Sequence, residues 1–246
     1  MTDVPLAGSG RVPGPGIVLV LLLTIAVLFV SGGVALQLFL GEAGLVLAQL
    51  LLILLPALLL LRLGRFDARK TLSLRLPTRS SVAGGVLLLF GGLQIALVLA
   101  WLQSLVIPVP IEYIETMSEM LRADSLRRFL WLVLLAAIVP AIAEEVLFRG
   151  VVLSSLREKL PTAAAVVITG TIFGLFHLTP ETAFRFLPTA WLGVLLSWVV
   201  VASESLALAV LLHFLNNAAV LALSSIPIAA ERLNAVEDQP PPILFA

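Results

Sequence analysis

The chain is a succession of apolar stretches, each long enough or nearly long enough to cross a bilayer. They fall at 17–40, 43–62, 81–107, 129–155, 162–178, 187–202 and 205–225. A helical crossing takes about 20 predominantly apolar residues. The expected fold class is therefore all-α: a polytopic bundle of about seven transmembrane helices, forming one integral membrane domain over 1–246. The fifth and sixth stretches are short and are expected to be tilted or incompletely spanning. The first is longer than a signal-peptide core, and further crossings follow it, so it reads as a retained helix. Composition agrees. The 246 residues are 60% hydrophobic and 12% charged, against about 25% charged in a soluble domain. With 15 basic and 15 acidic residues, nothing points to nucleic acid. With no cysteine, disulfides, thiol nucleophiles and cysteine metal sites are excluded.

Between the third and fourth stretches, 111–128 alternates apolar and charged residues at near-helical spacing: Glu112, Glu115, Glu119, Arg122, Asp124, Arg127 and Arg128. It reads as an amphipathic helix lying at the interface. The tail, with Asp238 and prolines at 240–242, reads as extended. The connection after the second stretch carries Arg62, Arg65, Arg69, Lys70, Arg75 and Arg79 against Asp67. Basic residues concentrate in short cytoplasmic connections. The N-terminus is then expected in the cytoplasm and, with seven crossings, the C-terminus outside. Arg157 and Lys159 fall on the same side as the basic connection.

Against this apolar background, Glu144, Glu145 and Arg149 lie inside 129–155. An ionisable group at the centre of a membrane helix costs roughly 2.5–3.5 kcal/mol on insertion scales, so such groups mark function. Neighbours on a helix point about 100° apart, so the two glutamates face different directions. Glu145 and Arg149 stand four apart with the acid first, the favourable order for an ion pair. Glu144 is left without a local partner. It is either a proton acceptor or a neutral acid hydrogen-bonded in the bundle. Pro140, four residues before Glu144, removes a helical hydrogen bond and is expected to kink the helix.

The only two histidines are His177 and His213, in separate apolar stretches. At 1.5 Å per residue, Glu144 lies about 16 Å from the cytoplasmic end of its stretch, His177 about 22 Å along the next and His213 about 12 Å along the last. Those depths permit one shared site. His177 alone could be an interfacial anchor. Before it, Gly170 and Gly174 form a GxxxG pattern that lets another helix approach closely. His213 and Asn217, four apart, share a face. Together they could bind a water, stabilise an oxyanion, hold a metal or simply bridge helices. Asn216 points elsewhere and reads as a spectator.

These residues resemble the CPBP family of intramembrane proteases, which includes the type II CAAX prenyl endopeptidases and the bacteriocin-processing enzymes. Its three motifs correspond to Glu144-Glu145-Val-Leu-Phe-Arg149, Phe173-Gly-Leu-Phe-His177 and His213-Phe-Leu-Asn-Asn217, in the same order and with intact spacing. The resemblance covers about 129–225, the expected catalytic helix core. The family is often drawn with eight helices, one more than the seven stretches here.

The resemblance implies an endopeptidase that hydrolyses a peptide bond in a membrane-associated protein or peptide. Glu144 would activate a water, His177 would bind or orient it, and His213 with Asn217 would stabilise the tetrahedral oxyanion. Glu145 and Arg149 would support them. No cofactor is favoured. If a metal is used, zinc on Glu144, His177 and His213 is the alternative. Lipid and the membrane-associated substrate are the expected partners. The Leu-, Ala- and Arg-rich, lysine-poor composition fits a high-GC bacterial genome and hence a bacterial inner membrane. Two other functions would suit buried Glu and His residues: a proton-coupled transporter, or a non-catalytic scaffold or bacteriocin immunity factor. No internal repeat of the transporter kind is visible, and no motif is broken.

Overall fold

The computed structural model describes residues 10–224. Among them the regular structure is helical: α1 (Pro15–Leu40), α2 (Glu42–Leu63), the short α3 (Ala68–Thr71), α4 (Arg79–Ser104), α5 (Ile111–Met120), α6 (Leu126–Arg157), α7 (Thr162–Phe176), α8 (Pro180–Ser203) and α9 (Leu206–Ser224). The seven apolar stretches correspond to α1, α2, α4 and α6–α9. Five of these helices are long and apolar enough to span a membrane, and α7 and α9 are shorter. The tail from 225 onward lies outside the described residues.

Each outer helix divides its apolar residues between two environments. On α1, Val18, Leu22 and Ile25 recur at helical spacing and are buried, while Val20, Leu23 and Val27 point outward. An apolar outer face beside an apolar core is what a helix between protein and lipid needs. The middle of α6 is different. From Ala143 to Leu153 every residue is buried, so this helix is enclosed by the others and its polar groups must find partners inside the protein.

Close approach places the neighbouring helices. A Cβ on Gly170 of α7 would stand 2.5 Å from the Val194 nitrogen of α8, and one on Gly193 would stand 2.7 Å from the Gly170 Cα. The GxxxG face thus packs backbone against backbone. The α1–α2 hairpin turns on Gly41, whose φ of 58° is a left-handed conformation that glycine adopts without strain.

Two ends of the bundle are distinguishable. At one, the basic connection is tied to the α8–α9 junction: Leu206 N–H donates to the Ser73 carbonyl at 3.0 Å, and Arg75 pairs with Glu204. Lys70 pairs with Glu158 just past α6 at 3.1 Å. At the other end, Arg128 of α6 grips Glu42 of α2 with both terminal nitrogens, at 2.5 and 2.6 Å, and the Trp131 indole donates to the same carboxylate at 2.7 Å. Gln103 at the end of α4 bonds both the Ala183 carbonyl and the Leu187 N–H. The connections after α2, α6 and α8 therefore meet at one end, as alternating crossings require.

Three expectations change in detail. The charged segment 111–128 is not one helix. Helix α5 stops at Met120, and Ser125 caps the next helix by accepting from the Arg128 N–H at 3.2 Å. Arg127 and Arg128 therefore begin α6. The sixth helix starts earlier than 187, with a 3₁₀ turn at Pro180–Arg185. Pro140 acts through a widened turn. Gln49–Leu54 and Val133–Ile138 are π-type turns, and each ends two residues before a proline, Pro56 or Pro140. The missing proline N–H strands a carbonyl four residues back, and the helix re-registers around it.

Candidate active site

Glu144 sits near the middle of α6 and is 6% exposed. Its two oxygens have different surroundings. Oε1 accepts from Gln49 Nε2 of α2 at 3.0 Å. Oε2 is buried with no hydrogen-bond partner, and it faces both histidines: His177 Nε2 at 3.6 Å and His213 Nε2 at 4.0 Å. A buried carboxylate oxygen without a partner is costly and calls for a reason. One water could bridge these three atoms.

Each histidine is held by its other nitrogen. His177 lies just past the end of α7, and its Nδ1 contacts the Phe173 carbonyl at 2.8 Å. A carbonyl only accepts, so that contact puts the hydrogen on Nδ1 and leaves Nε2 as an acceptor in the neutral ring. The chain breaks helix there: Thr182 Oγ1 donates to the His177 carbonyl at 2.6 Å and accepts from the Thr179 N–H at 2.8 Å. Helix α7 rises only about 22 Å at 1.5 Å per residue, less than the thickness of a hydrocarbon core of about 30 Å. The His177 side chain is 30% exposed, the most exposed of the cluster.

His213 is enclosed, at 3% exposure. Its Nδ1 bonds Glu145 Oε1 at 2.8 Å, and the same oxygen accepts from Arg149 Nη1 at 2.7 Å. The Glu145–Arg149 pair is present as expected, but Glu145 also orients His213. Arg149 is 1% exposed. Its Nη2 donates to the Gly193 carbonyl at 3.1 Å, and its guanidinium lies 4.4 Å from the centre of the Phe173 ring. That ring also packs against His177, with centroids 4.5 Å apart, and against His213, at 5.8 Å. Phe173 thus wedges the two histidines and the arginine into place.

Asn217 lies one turn beyond His213. Its Nδ2 donates to the Ala136 carbonyl at 3.2 Å, the carbonyl that Pro140 leaves without an α-helical partner. Its Oδ1 accepts from Asn216 Nδ2 at 3.0 Å. Asn216, expected to be a spectator, thus hydrogen-bonds the Asn217 amide. The structure brings Glu144, His177, His213, Glu145 and Arg149 into one cluster. The hydrogen bonds of Asn217 run to its neighbours rather than to Glu144. Sequence reading missed Gln49, since a lone glutamine in an apolar run has no motif. It also gave no role to Phe173, whose ring lies at the centre of the cluster.

Glu144, His177 and His213 are the donors that a zinc ion would use. Tetrahedral zinc with bonds of 2.0–2.2 Å sets its donors about 3.3–3.5 Å apart. The 3.6 and 4.0 Å separations are wider, and among the described residues no three His, Cys, Asp or Glu side chains are arranged to hold a metal ion. The histidine nitrogens thus stand slightly farther from Glu144 Oε2 than zinc donors stand from one another. A separate cleft of about 980 Å³ opens at the basic end, among Arg69, Lys70, Arg75 and Arg157. It reaches the cluster only through Arg149.

Residues 126–219 match the family model described as type II CAAX prenyl endopeptidase Rce1-like. That segment holds all three motifs and is an Rce1-like domain, in agreement with the resemblance that the motifs carry. No curated protein and no solved structure matches the chain. Its apolar helices make this an integral membrane protein, and residues 126–219 are similar to CAAX-type proteases. Helices α1, α2 and α4 lie outside the match.

Proposed function

We propose that this protein is an intramembrane endopeptidase that hydrolyses a peptide bond in a membrane-associated protein or peptide. Glu144 is the base. A water held between Glu144 Oε2 and His177 Nε2 donates one hydrogen bond to each. As the water attacks the scissile carbonyl, Glu144 takes a proton and later delivers it to the departing amine. His213, held through Nδ1 by Glu145, presents Nε2 toward the developing oxyanion, and its imidazolium form would donate there. Asn217 offers the second N–H of its amide, the first being engaged by Ala136. Arg149 balances the charge of Glu145. The bacterial inner membrane, with the N-terminus in the cytoplasm, is the proposed location.

The observation that carries this reading is the partnerless Glu144 Oε2 facing two histidine nitrogens. Its test is cleavage of a C-terminally prenylated CAAX peptide by the purified protein in lipid vesicles. Glu144→Gln should fold normally and lose turnover. A folded Glu144→Gln protein that cleaves at the wild-type rate would sink the proposal.

A further inference from the structure

From the approach of α2 to α6, we infer that Gln49 is a positioning residue for Glu144, supplied by a helix outside the Rce1-like segment. The inference rests on Glu144 being the base. Three observations converge. Gln49 Nε2 donates to Glu144 Oε1 at 3.0 Å across 95 residues of sequence. Its own Oε1 is buried with no partner. A glutamine in an apolar helix that pairs only one end of its amide has not been placed there for its own satisfaction. Lastly, Gln49 opens the turn Gln49–Leu54, which packs against Val139–Glu145 of α6, the segment that carries Glu144.

The consequence is geometric. A carboxylate on a flexible side chain can offer either oxygen to either neighbour. With Oε1 tied to Gln49, the plane of the carboxylate is fixed and Oε2 is the oxygen left facing His177 and His213. Gln49 does not touch the water. It holds the group that does, and preorganisation of that kind acts on turnover more than on substrate binding.

Two shape-conserving variants read this contact. Gln49→Met keeps the packing volume and removes the donor. Gln49→Glu keeps the outline and turns the donor into an acceptor. With a prenylated CAAX peptide in vesicles, both should lower kcat by about tenfold or more, the order for losing a partner that orients a reacting group. KM should stay within about twofold, because no substrate contact is removed. If Glu144→Gln abolishes turnover while Gln49→Met keeps the wild-type kcat, the inference fails and the base assignment stands. If Glu144→Gln keeps turnover, the base assignment fails, and this inference with it. Infrared spectroscopy reads the same bond without turnover. The carboxyl stretching band assigned to Glu144, by its loss in Glu144→Gln, should shift in Gln49→Met. An unshifted band in a folded Gln49→Met protein would overturn the inference.

Discussion

Replacing Glu145 by glutamine separates its two duties, because one oxygen serves both. Glu145 Oε1 accepts from Arg149 Nη1 at 2.7 Å and from His213 Nδ1 at 2.8 Å. The change leaves Arg149 buried and charged beside a neutral amide. Losing one partner of a buried ion pair costs about 3–5 kcal/mol. The glutamine carbonyl can still accept from one donor, which returns about 1 kcal/mol. Arg149 also keeps the Gly193 carbonyl and the Phe173 ring. The expected net loss of stability is about 2–4 kcal/mol, from the same two terms. Turnover per folded molecule should fall too, because His213 loses the carboxylate behind it. The fall is expected between about tenfold and the roughly 10⁴-fold seen when an amide replaces the carboxylate behind a triad histidine. The assay pairs thermal unfolding in detergent with peptide cleavage normalised to folded protein. Adding Arg149→Met to Glu145→Gln removes the stranded charge and should recover much of the stability but little of the activity. If Glu145→Gln keeps wild-type turnover per folded molecule, the Glu145–His213 bond has no part in the chemistry.

Other perturbations have distinct outcomes. Gly170→Ala forces a methyl group against the α8 backbone and should destabilise by about 1–3 kcal/mol; unchanged unfolding would contradict the close α7–α8 packing. Arg75→Ala at the exposed Arg75–Glu204 pair should change stability by no more than about 1 kcal/mol, measured in the same unfolding assay. Pro140→Ala restores an N–H to the Ala136 carbonyl and so competes for it with Asn217. It should leave the protein folded while changing kcat, and identical kinetics would detach Asn217 from the reaction. Elemental analysis of the active protein should find no stoichiometric zinc; one zinc per chain, with activity lost on its removal and restored on its return, would make Glu144, His177 and His213 ligands.

Much of the fold was legible because its physics is local. Each apolar stretch is long enough to demand a helix, and all seven coincide with one. The charged segment 111–128 misled because periodicity ignores caps: Ser125 starts a new helix inside a pattern that runs straight through it. In the site, Glu144, Glu145, Arg149 and the histidines stood out because charge is rare in such stretches. Gln49 did not, since glutamine carries no charge and its partner is far away in sequence. The Glu145–His213 bond was equally hidden, because an i,i+4 arginine already accounted for that carboxylate. Asn217 was legible as a companion of His213, but its tie to Ala136 depends on a carbonyl freed by a proline on another helix.

The central claim is that water, activated at Glu144, cleaves a peptide bond. Mass spectrometry of a prenylated CAAX peptide incubated with the vesicle-embedded protein in ¹⁸O-labelled water tests it most directly. One ¹⁸O should enter the new C-terminal carboxylate with the wild-type protein, and the peptide should stay intact with folded Glu144→Gln. Labelled product from folded Glu144→Gln at the wild-type rate, or an intact peptide after incubation with the wild-type protein, would contradict it.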